Sequence, residues 1–390
     1  MPSLARATIL FVVFASTSLF TFGQTVLSST PVSTERVSQE GAAPVWSHSL
    51  PPPSVQLPAI TAAALAPNGA CAAVAGVGRV DVLDIKGQKL WTWEYGKQNK
   101  FITAGGLAVS PKCDVVALVG DSSYKYTWIA SRQGVRVPIQ TTSTPMGIAF
   151  SQDGELIALG TGGCDLLLIS KSGALKWKKT YQEGCLLFGA LSFSPGDKFI
   201  MLQAWTTGLI ALDGTPVWTG FGWGMAPARD SQTFVVWSAP NHGPQVGNVS
   251  VVDAKGKELW SRVAPGDAAA ISASGNKIAA PIYEDHDFSP AEWEKYQDQP
   301  VEIQIFSRTG EELKTVPVEG REVLAMSPDG NRLLVRVADF IEELDTDGNI
   351  LLKIPDPQMS YSKVFVPDDF SGVLVWRRSM GNAVEWFILK

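Results

Sequence analysis

With 390 residues the chain has room for two or three average domains or for one large β architecture with a well-buried core. Hydrophobic residues make up 45% and charged residues only 18%, while 36 Gly, 25 Pro and 13 Trp are generous; this balance excludes disorder and long helical bundles and fits a turn-rich, all-β protein. The formal charge is -6 with no basic block, which argues against a nucleic-acid partner, and three histidines leave little for a His-rich metal site, so no metal is predicted.

At the N-terminus, Arg6 precedes an apolar run from Ala7 to Phe22, and Thr21 and Gly23 stand at the minus-three and minus-one places before Gln24. Residues 1–23 read as an export signal. The run is short of the roughly twenty residues that cross a bilayer, so no transmembrane anchor is expected after cleavage. No cysteine follows the cleavage point to carry a lipid. Residues 24–40 are rich in Ser and Thr without a sustained period and read as a flexible linker.

From residue 41 onward one phrase recurs: an apolar strand, a tight turn with Gly, and a second strand that often holds Trp. Copies are RVDVLDIKGQKLW (79–91), KYTWIASRQGVRVP (125–138), DLLLISKSGALKW (165–177), GLIALDGTPVW (208–218) and NVSVVDAKGKELW (248–260), with looser ones at 302–314 and 340–352. A hairpin phrase precedes each, as in GIAFSQDGELIALG (147–160) and LAMSPDGNRLLVRV (324–337), so each repeat supplies four strands. The last repeat, ending at Lys390, supplies three, and GAAPVW (41–46), read as repeating the turn-glycine-to-Trp spacing of Gly87 and Trp91 with no hairpin before it, is expected to complete that set. The repeat of about 44 residues is the length of a four-stranded propeller blade. The expected fold is all-β: an eight-bladed β-propeller over 41–390, closed by the N-terminal strand, with seven blades as the alternative. Glycine permits the positive φ of the tight turn, and Trp46, Trp91, Trp177, Trp218 and Trp260 are expected to pack between neighbouring blades.

In such a blade the turns between strands one and two and between three and four share one face; the turns between strands two and three share the other with the links between blades. Four cysteines in an exported chain allow three connectivities. Face assignment favours Cys164 with Cys185 and Cys71 with Cys113, against four buried thiols as the plain alternative. On the link face, candidate binding residues are Trp205, Trp223, His242 and Arg377, with Glu284, Asp285, His286, Asp287, Trp293 and Tyr296 from the one insertion that breaks the repeat. Within that insertion Ser289, Pro290 and Glu292 read as the start of a short helix.

Reaction motifs are absent: there is no nucleophile elbow, zinc-protease helix, phosphate loop or dinucleotide fingerprint. Ser274 and Lys277 spell S-x-x-K, but on a hairpin turn; Asp345, Asp347 and Asn349 imitate a calcium loop with Gly348 two places too early. No catalytic residue is assigned.

The phrases VVDAKGKELW and LLLISKSGALKW resemble the repeats of the pyrroloquinoline-quinone-like β-propellers, the superfamily of quinoprotein dehydrogenases and of the outer-membrane assembly propeller lipoprotein, and the SPDG-type turns are similar to WD40-like repeats. The resemblance implies the propeller fold over nearly the whole mature chain. The dehydrogenases' adjacent cysteine pair and the lipoprotein's lipidated cysteine have no counterpart here. The sequence is therefore read as an exported, periplasmic or extracellular bacterial protein, a monomer without an assigned cofactor, that binds a protein partner or small ligand through its loop-rich face. A quinoprotein-type oxidoreductase using pyrroloquinoline quinone and calcium, or another enzyme with a channel site, is the alternative; a structural part in an envelope complex is a third reading.

Overall fold

The computed structural model describes residues 41–50, 60–95, 106–120, 126–181, 190–203, 206–238, 247–264, 268–282, 301–320, 322–356, 362–377 and 383–390. The expected signal, linker and insertion helix lie outside these. Among the described residues there is no helix long and apolar enough to cross a membrane.

The strands form eight antiparallel sheets of four. Seven are built from consecutive strands, spanning 60–94, 107–140, 145–180, 190–221, 224–263, 270–320 and 322–355, here blades 1 to 7 in chain order. Blade 8 takes three strands from 362–388 and its outermost one, Trp46–Ser49, from the other end of the chain. Trp46 pairs with Trp386 and Ser49 with Ala383, which removes the open seam that a ring of separate sheets would otherwise present.

There is no single core. Successive side chains on a strand point to opposite faces, so Ala62 and Ala64 pack toward blade 2 while Ala63 packs toward blade 8. Eight apolar layers result, each shared by two neighbouring blades, with the last joining Leu374, Trp376 and Trp386 to Val74 and Leu83.

The turn chemistry repeats with the blades. In every first hairpin a residue with positive φ donates its N–H to the carbonyl three places back; it is Gly69, Gly154, Gly275 or Gly330 in four blades and Cys113, Asp197, Ser231 or Phe370 in the others, with Gly196 a second residue of positive φ in blade 4. Where a serine precedes the turn, its hydroxyl accepts the amide that reopens the next strand: Val115 to Ser110 at 3.0 Å, Leu156 to Ser151 at 2.9 Å and Arg332 to Ser327 at 2.9 Å. These serines are buried and satisfied by the turn itself.

The glycines of the third-to-fourth turns also clear space for the blade before them. A Cβ on Gly87 would lie 2.6 Å from Trp46, on Gly256 2.5 Å from Trp218, and on Gly310 2.8 Å from Trp260. Indole N–H groups reach across the same joints, Trp46 to Ile85 O at 2.9 Å, Trp177 to Leu212 O at 2.7 Å and Trp260 to Arg308 O at 3.2 Å. Trp91 departs from the series and donates instead to Cys113 O at 2.6 Å. Gly41 is a correction to the repeat as read from the sequence: it stands five residues before Trp46 rather than four, and its φ is not positive. Ala42 N–H donates to Lys353 O and Val45 N–H to Trp386 O, so this segment crosses from blade 7 to blade 8 in extended form.

Cys71 and Cys113 form a disulfide between the first hairpins of blades 1 and 2, with Cα atoms 6.0 Å apart. Cys164 is disulfide-bonded as well; its expected partner Cys185 lies outside the described residues.

Candidate functional site

The inner strand of each blade has a sheet neighbour on one side only, so its other edge faces the ring axis. Two adjoining cavities of about 460 and 490 Å3 lie along that axis and share Gln203, Met225, Ala226 and Asp368 in their walls. At one register of the inner strands, Ala64, Ala108, Ala149, Ser192, Ala226, Ala270 and Ala325 are small and Phe365 is the one large residue; all eight contribute to the cavity walls.

At the link-side end, Glu322 contributes to the wall and belongs to a charge network between blades 7 and 8. Arg336 meets Glu322 at 2.6 Å and Asp356 at 3.5 Å; Arg377 meets Asp356 at 3.4 Å and Glu385 at 2.6 Å. Three carboxylates around two guanidinium groups compensate charge that burial would otherwise make costly. Arg377, a predicted rim residue, is thus held within this network by its neighbours. Trp223 lies in the connection from blade 4 to blade 5, where its backbone N–H donates to Trp237 O at 2.7 Å. Trp237 packs over Gly224, whose added Cβ would come within 2.2 Å of the indole, and lines the cavity. Gln203 Nε2 donates to Met225 O at 3.1 Å. The predicted residues Trp205, His242, Glu284, Asp285, His286, Asp287, Trp293 and Tyr296 lie outside the described residues.

The opposite mouth is framed by the first hairpin turns. One position in each of the eight turns forms its ring, occupied by Pro67, Pro111, Gln152, Pro195, Arg229, Ala273, Pro328 and Asp368. Arg229 N–H donates to Ala273 O at 2.8 Å and Ala273 N–H to Pro328 O at 3.1 Å, stitching blades 5, 6 and 7 together where proline does not remove the donor. Gln152 N–H donates to Asp197 Oδ1 at 2.7 Å. The Gln152 side chain accepts from Gly196 N–H at 2.9 Å and donates to Asp368 Oδ2 at 3.1 Å, and Arg229 Nη2 donates to Asp368 O at 3.3 Å. Crowding by the protein pushes the Asp368 carboxyl above its ordinary value, with Arg229 opposing and Asp369 reinforcing that shift. The sequence reading passed over these three polar residues. The signal was present: aligned on their turns, five blades carry Pro or Ala at this register and three do not.

Other suggestive residues serve turns and joints. Lys277 Nζ donates to Gly330 O at 3.1 Å and to Asn331 Oδ1 at 2.8 Å, binding blade 6 to blade 7. Asp345 accepts from the amides of Asp347 and Asn349 at 2.9 Å each and from Asn349 Nδ2 at 2.8 Å, which holds its own turn.

Against solved structures, the chain is similar to BamB from Moraxella catarrhalis, at TM-score 0.60 and 13% identity over 89% of this chain and 99% of that one. The shared feature is the β-propeller fold. It is also similar to hydrazine synthase of Kuenenia stuttgartiensis, at TM-score 0.51 and 13% identity over 86% and 97% of the two chains. No protein-family profile and no curated protein sequence matches. At such identities the likeness carries the architecture, and function is argued from the site. Among the described residues no group of three or more His, Cys, Asp or Glu is placed to hold a metal ion.

Proposed function

We propose that the protein is a non-catalytic, exported binding propeller that takes a protein segment or small ligand at the link-side mouth of its channel. The observation that carries this reading is the chemistry of the channel wall. Seven of eight blades contribute a small side chain at one register of the cavity wall, and the charged groups at the link end pair with one another instead of converging on a reacting point. A general acid and base need a common target within hydrogen-bond reach, whereas a binding mouth needs shape, apolar area and a few polar anchors. Trp237 and Gln203 supply these in the cavity wall, with Trp223 in the adjoining connection between blades 4 and 5.

Export is supported by the Cys71–Cys113 disulfide and the bonded Cys164, since such bridges persist in oxidising compartments. The test has three arms. Fractionation of the native host should place the protein outside the cytoplasm. Photo-cross-linking from position 237 should yield a discrete adduct that a Trp237→Ala, Trp223→Ala variant loses. Incubation with pyrroloquinoline quinone and calcium should give no dye reduction; sustained turnover would defeat the binding reading in favour of an oxidoreductase.

A further inference from the structure

Only three of the eight ring positions at the first-turn mouth carry long polar side chains: Gln152, Arg229 and Asp368. They stand on blades 3, 5 and 8, so the gaps around the ring are two, three and three blades. No gap reaches four, half the circle, and a triangle through the three positions therefore encloses the channel axis. Gln152 and Asp368 meet at 3.1 Å, and Arg229 and Asp368 at 3.3 Å, although each pair is three blades apart. Two whole blades lie between the partners along the wall, so these contacts are made over the channel.

Two of the three are anchored from behind. Gln152 is fixed by Gly196 and Asp197 of the next blade, and Arg229 by its own amide on Ala273 O. Asp368 follows Pro367 on the first turn of blade 8 and lines both cavities. The remaining ring residues are Pro or Ala, too short to reach one another across the opening.

We propose that Gln152, Arg229 and Asp368 form a strap that closes the channel on the first-turn face. The strap stands on its own geometry; its consequence, that a ligand enters and leaves by the link-side mouth, rests on the binding reading above.

Two measurements on the full chain, with native disulfides left oxidised, test the closure. In Q152C/D368C, a bis-maleimide of about 8 Å span should join the two positions in most molecules, seen as a mass shift equal to one intact linker. Failure to cross-link, with both thiols singly labelled, would overturn the proposal. In A273C, alkylation by iodoacetamide should run at least tenfold slower than in S274C, which is exposed on the same turn, and Q152A/D368A should abolish most of that difference. Equal rates in A273C and S274C with the strap intact would also overturn it. Circular dichroism and the melting midpoint verify that each variant is folded, and Q152N/D368N, which shortens one arm and neutralises the other, replaces the alanine pair if that variant does not fold. Neither readout involves a ligand, so failure of the strap and failure of the binding reading are told apart.

Discussion

His48 Nε2 lies 3.3 Å from Asp81 Oδ2, joining the strand that closes blade 8 to the third strand of blade 1. Asp81 is 1% exposed and also receives Arg79 through two bonds of 2.8 Å and Thr92 at 2.7 Å. On the other flank, Lys390 N–H donates to the buried Glu343 of blade 7 at 2.8 Å, and Arg332 meets the same carboxylate at 2.8 Å. The two chain segments that complete blade 8 are thus each tied to a different neighbour, through acids whose burial makes the pairing obligatory.

Burial alone would raise the Asp81 carboxyl, yet hydrogen bonds from His48, Arg79 and Thr92 and the charge of Arg79 hold it well below the usual carboxylate range. Because the folded value lies below the unfolded one, its stabilisation is fully present above about pH 4 and is lost as pH falls through the folded value. Urea midpoints between pH 3 and pH 7 should decline on the acid side. Asp81→Asn should cost about 3 kcal/mol at pH 7, by leaving Arg79 without its carboxylate, and should flatten that acid limb. Identical acid slopes in the two proteins would show that Asp81 does not carry the effect.

Turn glycines divide into two classes. Gly134 and Gly256 both have positive φ, at 85° and 78°, but a Cβ on Gly134 meets nothing within 4 Å whereas one on Gly256 would lie 2.5 Å from Trp218. Gly134→Ala should therefore cost about 1 kcal/mol, the backbone penalty alone. Gly256→Ala should cost at least about 2 kcal/mol, because the indole must also move. Chemical denaturation of both variants measures the difference, and equal losses would assign the whole effect to φ.

The architecture was legible because blades are local: Gly, Trp and the serine-led turns repeat every four strands, and the absence of a fourth strand before Lys390 called for a partner such as Trp46–Ser49. Gly41 misled the reading because GAAPVW looks like the Gly–Trp phrase of the other blades although its spacing is five rather than four; in the structure Gly41 packs against Pro355, 2.4 Å from an added Cβ, without forming a turn. The strap was missed for a different reason. Gln152, Arg229 and Asp368 are separated by up to 216 residues and meet only because a closed ring brings blades 3, 5 and 8 around one axis. No linear motif records such a meeting, and only alignment of all the turns exposes the register.

The Cys71–Cys113 bridge closes a sequence separation of 42 and fastens the first turns of blades 1 and 2. Loop closure of that length is worth about 4 kcal/mol in the chain-entropy account. Cys71→Ala with Cys113→Ala should lower stability by an amount of that order, and dithiothreitol should bring the wild-type midpoint down at least as far, since it also reduces the bridge of Cys164. Cys113 occupies a position with φ of 60° that Gly holds in the equivalent turns of four blades, so Cys71→Ala with Cys113→Gly should recover about 1 kcal/mol of the loss. A double variant as stable as the oxidised wild type would mean that packing around Trp91 and Cys113 holds the joint without the bond.

Ring closure makes the strongest demand on residues 41–50. Their removal would leave the Ala383–Ile388 strand with an unpaired edge and uncover Trp386, which is 2% exposed in the closed ring. An open, apolar edge recruits other strands. A chain beginning at residue 51 should melt well below one beginning at residue 41 and should self-associate as its concentration rises, both followed by calorimetry and light scattering. A synthetic peptide of residues 41–50, added in trans, should restore the higher melting point in a saturable way, since the register from Trp46–Trp386 to Ser49–Ala383 needs no covalent link to form. If the shortened chain stays monomeric and melts with the longer one, the latch contributes nothing to holding the ring shut.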